Sequence, residues 1–329
     1  MSQQPPAFTN QKVVPRWRKT PPALFPPVLG LFGLTVGWLR TPDAFGAPAA
    51  IGQILAGAMV LFYAFTAGHY LAKVAARPGV MAEDLTTLPG RAGLAALTMS
   101  GMLLATVLVP FAPVIARVVL VLAILGHTVV MTMVAMALAS APAEARKVTP
   151  VLHLTFVGLI VSAMPALALG WSAYAGVIFW ATLVAAVVIW LLSAAQFVRE
   201  TPPPPLRPLL AIHLAPASLL GTVAFLMGLP GLGFGFALLA LALFVALAVS
   251  LPWLTQAGFS PFWGAFTFPL AAFSSLMMIL GSAGYGGFYR IIGGLALVAA
   301  TFFIPWVALK VTRMWLKGGL AVKTNAAVA

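Results

Sequence analysis

The residues able to do chemistry are few, and their spacing keeps them from acting together. Five carboxylates (Asp43, Glu83, Asp84, Glu144 and Glu200) and four histidines (His69, His127, His153 and His213) stand in a chain of 329 residues that has no cysteine. No two histidines are three or four residues apart, the spacing that lets side chains on one helix face share a metal. Thiol catalysis, disulfides and thiolate metal centres are excluded. There is no Gly-x-Ser-x-Gly elbow, no carboxylate placed to orient a histidine, and no phosphate loop ending in Gly-Lys-Ser/Thr. No catalytic residue, metal site or cofactor is therefore expected, and the chain reads as a non-enzyme.

The elements that carry these groups are apolar. A composition of 62% hydrophobic and 7% charged residues leaves too little polar surface to cover a soluble globule of this length. Runs long enough to cross about 30 Å of hydrocarbon are read at 22–39, 48–72, 92–112, 114–139, 150–170, 173–196, 208–228, 231–254, 262–283 and 287–314. The fold class expected is all-α integral membrane. The domain boundaries are a tail over 1–20, a ten-helix membrane domain over 21–317 and a tail over 318–329. Residues 1–20 are polar and bear prolines, so they read as a cytoplasmic tail rather than a cleavable signal.

Charge gives the orientation. Of the 18 Lys and Arg residues, all but Arg40, Arg117 and Arg290 fall on one side of these spans, Lys12 and Arg146 among them. Basic residues in short loops resist translocation. Both termini are therefore expected in the cytoplasm, with the protein in the inner (plasma) membrane. The net charge of +13 reads as this topology signal, with attraction to anionic membrane lipid. Nucleic acid is not an expected partner, since no basic stripe interleaves with aromatics.

Short, nearly uncharged connections follow spans 3, 5 and 7, whereas longer basic ones follow spans 2, 4 and 6. The pattern is five helical hairpins in series. Odd spans carry prolines within the apolar run: Pro26 and Pro27, Pro165, Pro216 and Pro269, with Pro110 near the end of span 3. Proline frees a backbone carbonyl, and a freed carbonyl is tolerated at membrane depth only against protein or a water-filled cavity. The odd helices are thus expected inside, around a central pore, with Pro26, Pro165, Pro216, Thr267 and Pro269 as pore-lining candidates.

All five carboxylates lie in connections. A proton- or sodium-coupled carrier keeps an ionisable group within the membrane, and a cation channel carries an acidic ring or a carbonyl filter. Neither is visible, so the path is permissive for anions. His127, in mid-span 4, reads either as a neutral packing residue or as the one titratable group available to a coupled carrier. His153 and His213, near the cytoplasmic starts of spans 5 and 7, read as interfacial anchors or as pH-sensitive groups of the inner mouth, charging below about pH 6.5. Arg117 reads as snorkelling to the outer surface.

Two stretches carry a resemblance. Trp263-Gly264-Ala265-Phe266-Thr267-Phe268-Pro269-Leu270 in span 9 resembles the ninth-helix signature Trp-x-x-(Tyr/Phe)-(Thr/Ser)-Phe-(Pro/Gly) of the tellurite-resistance/dicarboxylate transporter family. That family comprises bacterial tellurite-resistance proteins, plant guard-cell slow anion channels, and yeast malate and sulfite transporters. Leu214-Ala215-Pro216-Ala217 resembles the start of its seventh helix, and ten spans in about 320 residues match its architecture. The resemblance implies a homotrimer with one pore per protomer, lined by the odd helices and blocked by a phenylalanine of helix 9. Phe268 is the matching position. Phe266 and Phe273 share the segment, and the residues alone do not choose among the three. One departure is the double proline Pro26-Pro27, where bacterial relatives carry a Gly-rich stretch ending in a single proline; it leaves the pore width there open.

The function expected is a passive anion channel or channel-like uniporter gated by Phe268. The resemblance implies chloride, nitrate, sulfite, malate or tellurite as the anion class, with a link to tellurite resistance. The alternative is a proton-coupled exporter of malate, sulfite or a similar small anion.

Overall fold

A computed structural model describes residues 15–140 and 147–329. Lys12, Glu144 and Arg146 of the charge pattern lie outside the described residues, as does most of the expected N-terminal tail. No strand occurs among the described residues. The principal helices are α1 (Phe25–Leu39), α2 (Ala49–Ala76), α3 (Leu88–Leu108), α4 (Pro113–Ser140), α5 (Ile160–Ala168), α6 (Ser172–Arg199), α7 (Leu214–Leu226), α8 (Pro230–Val249), α9 (Gly264–Ser282) and α10 (Gly287–Leu316). Leu, Ala, Val, Ile and Phe make them helical and apolar together. Gly170 and Gly228 adopt positive φ just past α5 and α7. They end those helices in the left-handed conformation that glycine takes without a Cβ penalty, and the chain reverses within a few residues.

Burial divides the helices into two sets. In their most apolar 18-residue stretch, 78% of residues are buried in the segments containing α1, α7 and α9 and 72% in α3; the figure is between 17% and 39% for α2, α4, α6, α8 and α10. Each odd helix packs along the even helix that follows it. The odd helices also pack on one another in a closed circuit: α1 on α3, α3 on α5, α5 on α7, α7 on α9, and α9 on α1. The even helices face outward with apolar side chains such as Ile54, Leu61, Leu122, Val184 and Phe302, which suit hydrocarbon rather than water.

The prolines fall in two places. Pro165 and Pro269 sit inside α5 and α9, and Pro305 inside α10. Pro26, Pro27 and Pro216 instead lie in the first turns of α1 and α7, each preceded by a 3₁₀ segment, Pro22–Leu24 and Pro204–His213. In the first turn of a helix the missing N–H has no intrahelical partner to lose, so these three shape the helix entry rather than kink its middle.

Nine helical segments among the described residues are long and apolar enough to cross a membrane. The region expected as span 5 is a shorter apolar stretch, His153–Ala168, in which a π-type turn (His153–Val157) precedes α5. Gly158 explains part of this irregularity. A Cβ there would overlap the Leu154 carbonyl and come within 2.8 Å of the His127 ring and 2.9 Å of Met99 Sδ, so α3 and α4 approach the backbone where the turn is wide.

The basic connections meet at one end of the molecule. Lys73 Nζ donates to Asp84 Oδ2 (2.8 Å) and to the Thr20 carbonyl (3.1 Å), and the Tyr70 hydroxyl donates to the same carboxylate (2.9 Å). The Ala327 N–H donates to Asp84 Oδ1, and the Ala329 N–H to the Arg18 carbonyl. Both ends of the described chain are thereby tied to the α2–α3 connection. Lys147 pairs with Glu200 at 2.8 Å, and Arg207 Nη1 donates to Gln256 Oε1 at 2.5 Å, which ties the later connections to each other.

Candidate functional site

The closest seam in the circuit joins α1 to α9, and small residues make it. A Cβ on Gly30 would overlap the Thr267 side chain, and one on Gly33 would lie 2.9 Å from Phe268 Cδ2. Glycine at these two positions, one turn apart on α1, lets α9 lie against the helix backbone. Thr267 Oγ1 sits in the seam within hydrogen-bond distance of the Gly264 (2.7 Å) and Pro26 (3.2 Å) carbonyls. Thr267 therefore holds α9 against α1.

The three phenylalanines of α9 face three ways. Phe266 packs on Trp263 and Phe303, toward α10, and Phe273 stacks on Phe244 of α8 with ring centroids 4.3 Å apart. Phe268, only 4% exposed, turns inward against Gly33. It lines a cavity of about 20 Å³ whose walls come from all five odd helices, including Val36, Leu103, Met164 and Leu219. A second cavity, of about 30 Å³, lies toward the basic end, and Pro26, Ala92, Leu154, Ile212 and Ala265 are among its walls. These residues too come from the odd helices or the turns that open them. Ala265, which lines the second cavity, and Phe268, which lines the first, are one turn apart on the same face of α9. Each cavity holds about one water, and the axis is narrow and nearly all apolar.

The other candidates fall around this axis. Pro216 and His153 line a further small cavity between α3, α5 and α7. Pro165 and Pro269 are buried within α5 and α9. His153 Nε2 and His213 Nδ1 are 3.0 Å apart, so one imidazole donates and the other accepts; the sequence offered no sign of this pairing across 60 residues. His127 is fully buried and bridges three helices. Its Nε2 lies 2.9 Å from the Thr155 carbonyl, which can only accept, and its Nδ1 lies 2.7 Å from Thr98 Oγ1. Both ring nitrogens are thus satisfied in the neutral form.

One residue of the axis was not singled out from the sequence. Arg40, at the end of α1 away from the basic face, lines the same cavity as Phe268. Its Nε is buried and has no hydrogen-bond partner among the described residues. Burial pushes its guanidinium below the ordinary value, and Asp43 partly opposes this; the group stays charged regardless. The available signal was its place among only three basic residues off the basic face, of which Arg117 and Arg290 are exposed.

The sequence has a counterpart among known protein families. The family model described as voltage-dependent anion channel, SLAC1, matches residues 19–312. The chain belongs to this family. The match begins just before the 3₁₀ turn that enters α1 and ends within the last turns of α10, so it takes in every principal helix. SLAC1-family proteins are membrane channels and transporters of anions rather than enzymes. No curated protein matches the chain.

Proposed function

We propose that this SLAC1-family member is a passive anion channel, or channel-like uniporter, of the inner membrane. Its ten transmembrane helices form five hairpins around a central pore lined by the odd-numbered helices, and Phe268 is the gate. The observation that carries this reading is the pair of cavities whose walls come from the odd-helix segments, with Phe268 lining one and Ala265, a turn before it on α9, lining the other; this supports a ring between them. An aromatic ring across an apolar constriction both fills and dewets it. Pro269, the next residue, breaks the helix hydrogen-bond ladder beside the ring and gives α9 room to bend when the ring swings away. The fifth span, the shortest, is completed by its π-type turn. The basic face is cytoplasmic, and the assembly is a homotrimer with one pore per protomer.

Ions move down their electrochemical gradient. With the cell interior negative, an anion gains about 2.3 kcal/mol per charge per 100 mV by leaving, so efflux is the natural direction. Chloride and nitrate suit the narrow axis best, and tellurite resistance would follow from efflux of the oxyanion class. His153 and His213, paired near the inner mouth, are anchors of that mouth and its candidate pH-sensitive groups.

A proton-coupled exporter would route protons through His127, whose nitrogens are both occupied. Chloride efflux from proteoliposomes clamped with a potassium ionophore is the test. The efflux is expected to follow the imposed voltage and to be indifferent to an imposed pH gradient. Efflux that runs only with a pH gradient would overturn the passive reading.

A further inference from the structure

We propose that Arg40, Thr222 and Ser275 form a binding site for one small, dehydrated monovalent anion on the non-cytoplasmic side of Phe268. The proposal rests on the channel reading for its place in a conduction path, but the site is defined by its own donors. All three residues line the cavity that holds the Phe268 ring. Its other walls, Gly33, Val36, Leu103, Met164, Leu219 and Ala272, offer no side-chain hydrogen-bonding group.

Most buried hydroxyls in these helices find a protein acceptor. Thr35, Thr66, Ser100 and Ser218 bond back to a carbonyl three or four residues earlier, and Ser274 bonds across to the Gly293 carbonyl, whereas the Thr155 and Ser193 hydroxyls have no partner among the described residues. Bonding back is the ordinary way a helix satisfies Ser and Thr in an apolar setting. Thr222 and Ser275 are 3% and 6% exposed, yet neither makes a side-chain hydrogen bond among the described residues. Arg40 adds a third free donor. Its Nε is buried without a partner, and neither Asp43 nor any other carboxylate among the described residues pairs with it. Arg40 Nε, buried without a partner, and two hydroxyls that bond to no protein group line one largely apolar cavity, which offers them no acceptor; a buried donor left unpaired is costly.

An anion satisfies all three at once, and the guanidinium supplies a charge-assisted bond that is shorter and stronger than a neutral one. The ligand class follows from size and charge. A cavity of about 20 Å³ holds one water-sized particle. One fixed positive charge balances one negative charge. A halide meets both limits; a dicarboxylate such as malate exceeds both. The site would draw a dehydrated halide past the ring and release it outward, which makes Arg40 a selectivity determinant of the path.

The test uses bromide as the probe and reads binding separately from conduction. Melting of the purified protein is followed in sodium bromide against sodium gluconate at equal ionic strength. Bromide is expected to raise the melting temperature of the wild type and of Arg40→Lys, and to have no such effect on Arg40→Gln. Thr222→Val and Ser275→Ala should each weaken the apparent bromide affinity by about tenfold, the loss of one hydrogen bond to a charged partner. In bilayers, Phe268→Ala/Arg40→Gln should show an anion-over-cation permeability ratio at least about fivefold below that of Phe268→Ala. No bromide effect on the wild type, or an equal effect on Arg40→Gln, overturns the site even where Phe268→Ala conducts. An Arg40-dependent bromide effect with no conduction by Phe268→Ala keeps the site and overturns the channel reading. If Arg40→Gln does not elute as the wild type does, Thr222→Val/Ser275→Ala carries the binding test with the charge left in place.

Discussion

Lys73 and Asp84 form an ion pair with both side chains withdrawn from solvent, and Tyr70, the Thr20 carbonyl and the Ala327 N–H add further hydrogen bonds to the pair. A buried pair satisfied in this way is costly to halve, because one charge is left without its partner. Asp84→Ala is expected to lower stability by about 3–5 kcal/mol, read as a lower melting temperature in detergent. Lys73→Met/Asp84→Leu should recover a large part of the loss, since no stranded charge remains. A single variant that melts with the wild type would mean that the pair contributes nothing. Arg40 differs: it is a partly buried cation that Asp43 influences through its charge but with which no carboxylate among the described residues forms an ion pair. The proposed anion would give this buried Nε its partner.

At the scale of elements, the α1–α9 seam sets where the Phe268 ring can be. Gly30 and Gly33 bring the helix backbones together, and the Thr267 hydroxyl fixes their register. A methyl at Gly30 must displace a β-branched side chain that has few rotamers to retreat to. Gly30→Ala is therefore expected to cost about 1–3 kcal/mol through overpacking. Gly57→Ala in α2, where nothing lies within 4 Å, should instead stabilise by about 0.5–1 kcal/mol. Thermal melts of the two variants with opposite signs would support the seam; equal effects would contradict it.

The seam also marks how far the sequence could be read. Nine of the ten apolar segments and the greater burial of the odd ones were legible, because apolar run length and loop charge are local properties. Proline placement misled for Pro26, Pro27 and Pro216, which open their helices. Phe268 could be singled out only through resemblance. The residues Phe266, Phe268 and Phe273 do not reveal that the first meets Phe303 and the third meets Phe244. The irregular entry to α5 was not legible either. It depends on α3 and α4 pressing on Gly158, a contact between residues far apart in the chain. The His153–His213 pairing and the place of Arg40 on the axis are hidden for the same reason: each is fixed by packing across helices that pattern alone cannot orient.

In the whole molecule, a closed circuit of buried helices surrounds small, largely apolar cavities, and the proposed channel reading has Phe268 bar the path between them. The outer helices present hydrocarbon-compatible surface, and the chain ends are tied to one basic face by backbone and carboxylate bonds. On the proposed reading, opening requires only that the Phe268 side chain move, since the circuit of odd helices would already form the wall. The most direct test is current through planar bilayers containing the purified protein, wild type against Phe268→Ala, in chloride and nitrate gradients. Small wild-type currents are expected, with large currents in the variant that reverse near the anion equilibrium potential. Currents that stay equally small in both proteins, or that reverse at the cation potential once the ring is removed, would contradict that reading.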